Sequence, residues 1–184
     1  MEKVVISVLG GDRPGIVAAV SRVLYETGCN IEDVTQTILQ TEFAGILIAS
    51  IPDSLDPEVL LSKMRERLNP LDLNVLLKKM QPVPQSPTTR PAEPFVVTTY
   101  GPDRKGLVAG ITEVMARFGV NITSLKAAFR GGDDPQRNFM IYEVDVPGEI
   151  DHVTFREALH SRAEELGLDL TLQHRHIFEA INRV

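Results

Sequence analysis

Two short segments with the same order of residue types lie 91 positions apart: Gly10-Gly11-Asp12-Arg13-Pro14-Gly15 and Gly101-Pro102-Asp103-Arg104-Lys105-Gly106. Each follows a short run of β-formers and precedes apolar residues at helical spacing, so each joins a strand to the start of a helix. A helix start offers N–H groups without intrahelical acceptors and the positive end of the macrodipole, and glycine lets a ligand come close to the backbone. The chemistry on offer is anion binding, with the N–H groups of Gly15 and Ile16 available to a carboxylate. A structural account is also open, in which Asp12 and Asp103 cap their helices and the glycines make a tight turn. Caps explain one Asp and one Gly per segment, but not the return of the whole Gly-x-Asp-Arg-x-Gly pattern.

A second element recurs at the same offset, Gly28-Cys29-Asn30-Ile31 and Gly119-Val120-Asn121-Ile122. It ends the first helix of each repeat and opens the next strand. Glycine suits the position after a helix, and Asn at a turn can bond its local backbone. The functional alternative is that Asn30 and Asn121 offer both a donor and an acceptor, which suits a zwitterion carrying carboxylate and ammonium.

Other candidates are weaker. His174 and His176 lie two apart on an expected strand and so share a face, but no third metal ligand is in reach. His152 and His160 read as helix surface. Cys29 has no activating neighbour in the sequence and reads as a small buried hydrophobe. Asp133 and Asp134 read as a solvated hairpin tip. No nucleophile–base pair, phosphate loop or metal-ligand spacing is present in the sequence, so no catalytic residue, metal or cofactor is expected.

The elements that must carry these motifs form a repeat. Residues 4–38 align with 95–129 without a gap, and 11 of the 35 positions are identical. A period of that length is a duplicated domain, not a solenoid unit. In the first copy, Val4–Leu9 reads as a strand ended by Gly10-Gly11, and Pro14 suits the first turn of a helix. That helix runs through Ile16, Val20, Val23 and Leu24 to Gly28. Asn30–Gln40 and Phe43–Ile51 read as strands about a turn near Thr41-Glu42. Pro57 opens a second helix that stops before Pro70, and Leu71–Met80 is a last strand. The second copy repeats the order, with strands Phe95–Tyr100, Asn121–Arg130, Asn138–Val146 and Leu168–Phe178. The expected fold class is α+β: two tandem ferredoxin-like βαββαβ domains, each an antiparallel four-stranded sheet with two helices on one face. The boundaries are 1–80 for the first domain, 81–93 for a Pro-rich linker and 94–184 for the second. Five prolines between Pro82 and Pro94 exclude a central strand or helix interior there.

The whole chain of 184 residues is 43% hydrophobic and 24% charged, ordinary values for a globular protein. Its net charge is −6, and each half carries −3, so neither half offers the clustered cations that nucleic acid demands. No apolar run is long enough to span a membrane and no signal peptide is evident at Met1-Glu2-Lys3-Val4. A single cysteine fits the cytoplasm. Four-stranded sheets with a bare face and open edges call for pairing, so a homo-oligomer, first of all a dimer, is expected.

Two βαββαβ halves, each with a Gly-x-Asp-Arg-x-Gly loop and a Gly-x-Asn-Ile turn, resemble tandem ACT domains, and the two-domain length is most similar to the glycine cleavage system transcriptional repressor family. The resemblance implies a regulatory module that binds a small molecule, most often an amino acid, where the loop after one first strand meets the start of a second strand in a neighbouring module. Carried over by position, it implicates Gly11, Asp12, Arg13, Pro14, Gly15, Ile16, Asn30 and Ile31, and in the second half Asp103, Arg104, Gly106, Asn121 and Ile122. Pro102 and Lys105 replace Gly11 and Pro14, which makes the first half the expected better binder. A protein lacking catalytic and DNA-reading motifs would act through a protein partner. The rival readings are a ligand-free interaction module and a small enzyme on the same fold.

Overall fold

The computed structural model describes residues 2–81, 91–129 and 138–181. The chain divides into two compact units, Met1–Gln85 and Ser86–Val184.

In the first unit the order is β1 (Glu2–Gly11), α1 (Ile16–Glu26), β2 (Asn30–Leu39), β3 (Glu42–Ile51), α2 (Pro57–Leu68) and β4 (Leu73–Lys79). The strands form one antiparallel sheet in the order β2-β3-β1-β4. Period-two alternation sends Val4, Ile6 and Val8 of β1 and Phe43, Leu47 and Ala49 of β3 into the core. There they meet Ile16, Val20 and Leu24 of α1 and Leu60, Met64 and Leu68 of α2. The opposite sheet face stays open, and Leu9, Ile46 and Leu76 are 52%, 49% and 63% exposed on it. Ser7 of β1 pairs with both Ile46 and Leu76, so the three apolar side chains lie close together.

The second unit repeats the plan with β5 (Ala92–Gly101), α3 (Leu107–Arg117), β6 (Asn121–Phe129), β7 (Asn138–Pro147), α4 (His152–Glu165) and β8 (Asp169–His174), in sheet order β6-β7-β5-β8. Its core gathers Val97, Leu107, Ile111, Met115, Tyr142, Phe155, Leu159 and Leu172. Asp151 caps α4. Its carboxylate accepts from the Thr154 hydroxyl at 2.5 Å and the Val153 N–H at 3.1 Å, and these bonds hold the carboxyl below its ordinary range.

Several boundaries differ from expectation. Strand β1 does not stop at Leu9 but includes Gly10 and Gly11, which pair with Phe43 and Glu42. The β2–β3 turn sits at Gln40-Thr41, with Gln40 at φ 57°, and Glu42 already belongs to β3. A 3₁₀ turn over Asn69–Leu71 delays β4 to Leu73. β5 begins at Ala92, inside the stretch 81–93 expected as linker, and Pro94 lies inside this central strand. Pro94 is tolerated because it pairs with Asp145 of β7 while β8 reaches only to Phe95, so no partner awaits its missing N–H on that side. The proline-rich stretch 82–90 lies outside the described residues, as does the hairpin tip with Asp133 and Asp134. The expected final strand Leu168–Phe178 stops at His174, and Arg175–Ile181 forms a further helix, α5, packed on β5 and β8. His174 and His176 therefore do not share a strand, although their rings meet edge-on at 4.9 Å. His152 is not free helix surface either: its ring, like that of His174, stands against Phe95. Cys29 is partly buried against the first core, with its Sγ 3.3 Å from the Thr27 hydroxyl.

Candidate functional site

The two repeated loops have one geometry. Helix α1 begins at Ile16 behind Gly15, whose φ is 96°, and α3 begins at Leu107 behind Gly106, whose φ is 89°. These left-handed values are why glycine stands at both positions. Asp12 and Asp103 do not cap their helices, and Pro14 lies outside the first turn; no side chain closes either helix start. The first intrahelical bonds run from Ala19 N–H to Gly15 and from Gly110 N–H to Gly106, each at 2.9 Å. The N–H groups of Ile16–Ala18 and Leu107–Ala109 therefore have no acceptor within their helices. Ile16 itself is buried, so only its backbone is on offer.

The aspartates and arginines of the two loops have different tasks. In the first unit the Asp12 N–H donates to Thr41 O at 2.7 Å, tying the loop to the β2–β3 turn. The exposed side chains of Asp12 and Arg13 make no hydrogen bond or ion pair among the described residues. In the second unit Asp103 accepts from Asn138 Nδ2 at 3.1 Å, and Arg104 donates to Glu165 O at 3.3 Å. Asn138 is buried, and its Oδ1 has no partner among the described residues. The register that pairs Gly10 with Phe43 and Gly101 with Asn138 makes Phe43 its apolar counterpart.

Asn30 and Asn121 are the first residues of β2 and β6, and both are exposed. They face Ser50 and Asp145 in register. Neither amide bonds its local backbone among the described residues, which removes the turn-forming account of these positions. Ile31 and Ile122 pack partly against their cores and serve the fold. A bulge follows each asparagine, between Ile31 and Asp33 and between Ile122 and Ser124.

Within one unit the structure does not bring loop and asparagine together. Asn30 is level with Ser50 and Lys3, whereas Gly11 is level with Glu42, eight residues further along β1. At about 3.3 Å per residue the separation is about 26 Å, far beyond the span of one amino acid. The open grooves between helix pairs, one lined by Val23, Thr27, Lys63 and Arg67 and one by Gly110, Arg117, Ser161 and Arg162, touch neither motif apart from the helices that carry them. Among the described residues no group of three His, Cys, Asp or Glu side chains is arranged to hold a metal ion, and no helix is long and apolar enough to cross a membrane.

Comparison with known proteins agrees with this architecture. The ACT domain family model matches twice, over residues 2–78 and 93–173. The glycine cleavage system transcriptional repressor of Escherichia coli (strain K12) is 27% identical over 165 residues, covering 88% of this chain and 84% of that protein. A UPF0237 protein of Methanopyrus kandleri is 43% identical over 68 residues, 37% of this chain and 72% of its own. The crystal structure of an unknown protein from Galdieria sulphuraria superposes with a TM-score of 0.76 at 25% identity, covering 94% of this chain and 98% of that one. With both repeats matched and both folded as four-stranded βαββαβ units, the chain belongs to the ACT domain family, as a tandem ACT protein resembling the glycine cleavage system transcriptional repressor.

Proposed function

We propose that this chain is a non-enzymatic regulatory protein that binds an amino acid through its ACT modules and passes the signal to a protein partner, in the transcriptional control of amino-acid metabolism. The observation that carries the reading is the recurrence of Asn30 and Asn121. They are exposed, open their strands at equivalent positions, and lack a partner among the described residues. An amide so placed can serve both ends of a zwitterion. The separation of each asparagine from the loop of its own unit means that the two motifs of one unit do not grip the same ligand. Similarity to a transcriptional repressor along most of the chain supports the regulatory role. A net charge of −6 fits action through a protein partner instead of direct contact with DNA. The protein works in the cytoplasm as a homodimer, without a cofactor.

Thermal-shift measurements with each of the twenty standard amino acids test the proposal, because a specific ligand raises the melting temperature by mass action. Titration calorimetry then follows any ligand found. Asn30→Ala or Asn121→Ala weakens binding about 10- to 150-fold, as expected for losing a hydrogen bond to a charged group. A full panel without binding, together with a dimer in sedimentation, favours the second reading, a ligand-free pairing module. The exposed cluster of Leu9, Ile46 and Leu76 on the open sheet face is the observation behind that alternative.

A further inference from the structure

The end of the second sheet where β6 begins is chemically unlike its counterpart in the first. Register places Asn121 opposite Asp145, and Glu143 is the next residue of β7 on that face. The bulge makes Thr123 an extra residue, whose hydroxyl donates to Glu143 O at 3.1 Å. Arg175 is the first residue of α5, beyond the end of β8, yet its guanidinium crosses β5 to reach both. Nη2 stands 3.5 Å from Thr123 Oγ1 and 3.7 Å from Glu143 Oε2. Both distances exceed the roughly 2.7–2.9 Å of a good charge-assisted bond. The Nε of Arg175 is buried with no partner among the described residues. A cation with five N–H donors is therefore held here without a short bidentate acceptor among the described residues.

The first unit closes the same place. Its bulge residue Glu32 forms an ion pair with Lys3 on the same face as Asn30. Charges there are matched within the unit. In the second unit an under-used guanidinium lies beside two carboxylates and an amide.

We propose that this cluster is the head-group site of the second unit for an α-amino acid: Arg175 takes the carboxylate, and Asp145 with the Asn121 amide takes the ammonium. The assignment rests on the amino-acid reading above and adds a carboxylate reader belonging to the same unit as Asn121. The ligand class follows from the charges. A simple anion meets repulsion from Glu143 and Asp145, and a simple cation meets Arg175. Only a molecule bearing both charges a few ångströms apart is complementary to the whole set. Because Arg175 opens α5, occupancy of the site also fastens the C-terminal helix to the sheet.

The test uses the full chain, the twenty standard amino acids, and the carboxamide of any that binds. The wild-type protein should prefer the acid over its carboxamide by about 10- to 100-fold. Arg175→Met should lose that preference and bind the acid more weakly by a similar factor, and Arg175→Lys should fall between, since an ammonium cannot reproduce the fork. A variant with wild-type circular dichroism that keeps the full preference overturns the role of Arg175 while leaving the amino-acid reading intact. Should Arg175→Met not fold, the lysine variant decides by the same criterion. Failure of all twenty amino acids to bind overturns both.

Discussion

Arg104 Nη2 donates to the carbonyl oxygen of Glu165 at 3.3 Å, so the arginine of the second repeated loop closes the C-terminus of α4. A cation at that end also meets the negative pole of the helix. Its counterpart Arg13 has no such partner among the described residues. The repeated Asp-Arg pair thus has two meanings, structural in one unit and unassigned to structure in the other. Arg104→Ala should lower the stability of the second unit by about 0.3–1 kcal/mol, whereas Arg13→Ala should leave the first unit unchanged. Urea denaturation of the two variants checks this, and equal losses would contradict it.

Asn138 is a polar residue at a position where the first unit has Phe43, and its Oδ1 is buried without a partner among the described residues. An orphaned buried acceptor costs about 1–3 kcal/mol, and an apolar residue of the same shape removes that cost. Asn138→Leu should therefore stabilise the second unit by about 1 kcal/mol, raising its melting temperature by about 4–8 °C. The exposed Asp103 carboxylate that loses its amide partner can turn to water. A fall in melting temperature would show that the amide oxygen is satisfied.

Gly15 and Gly106 adopt φ values of 96° and 89°, and a Cβ at either would meet nothing within 4 Å. The cost of Gly→Ala there is conformational alone, about 1–2 kcal/mol each. Thermal unfolding of G15A and G106A should show matching losses. A neutral substitution would indicate that the helix start relaxes into a right-handed turn.

Burial pushes the Tyr142 hydroxyl up to about 12, against the opposing pull of its hydrogen bond with Thr99. Ionisation of a tyrosine creates charge, so the folded unit holds this proton more tightly than the unfolded chain, where tyrosine titrates near pH 10. The stability it contributes is complete below about pH 10 and is lost as pH rises toward about 12. Tyr142→Phe should cost about 1 kcal/mol at neutral pH, leaving Thr99 short of a partner, and should flatten the alkaline fall. Denaturant midpoints measured at neutral and alkaline pH for both proteins decide it.

The repeat made most of the fold legible in the sequence. Helical spacing of Ile16, Val20 and Leu24, alternation in β1 and β3, and the glycines after each first helix all reappear in the structure. Pro94 misled because a proline's effect depends on which neighbour strand extends past it, and that is a matter of register. Residues 174–178 misled because no Gly or Pro stops the alternation of Leu168, Leu170 and Leu172, while the turn into α5 rests on tertiary packing. Both asparagines were visible as repeated residues. Arg175 was not, since it lies beyond the aligned repeat and acquires meaning only from its reach to Thr123 and Glu143. Asn138 was hidden for a similar reason: one residue type had changed at a position where the core called for another.

Helix α5 has a consequence for valency. It lies along β5 and β8 of one unit only, and Val96, on the sheet face opposite α3 and α4, is buried, while Leu9, Ile46 and Leu76 remain bare in the other. A chain with two adhesive sheet faces would link head to tail and grow without limit. In the pairing proposed above, α5 reduces the bare sheet face of the second unit, and its removal should favour species larger than a pair in sedimentation.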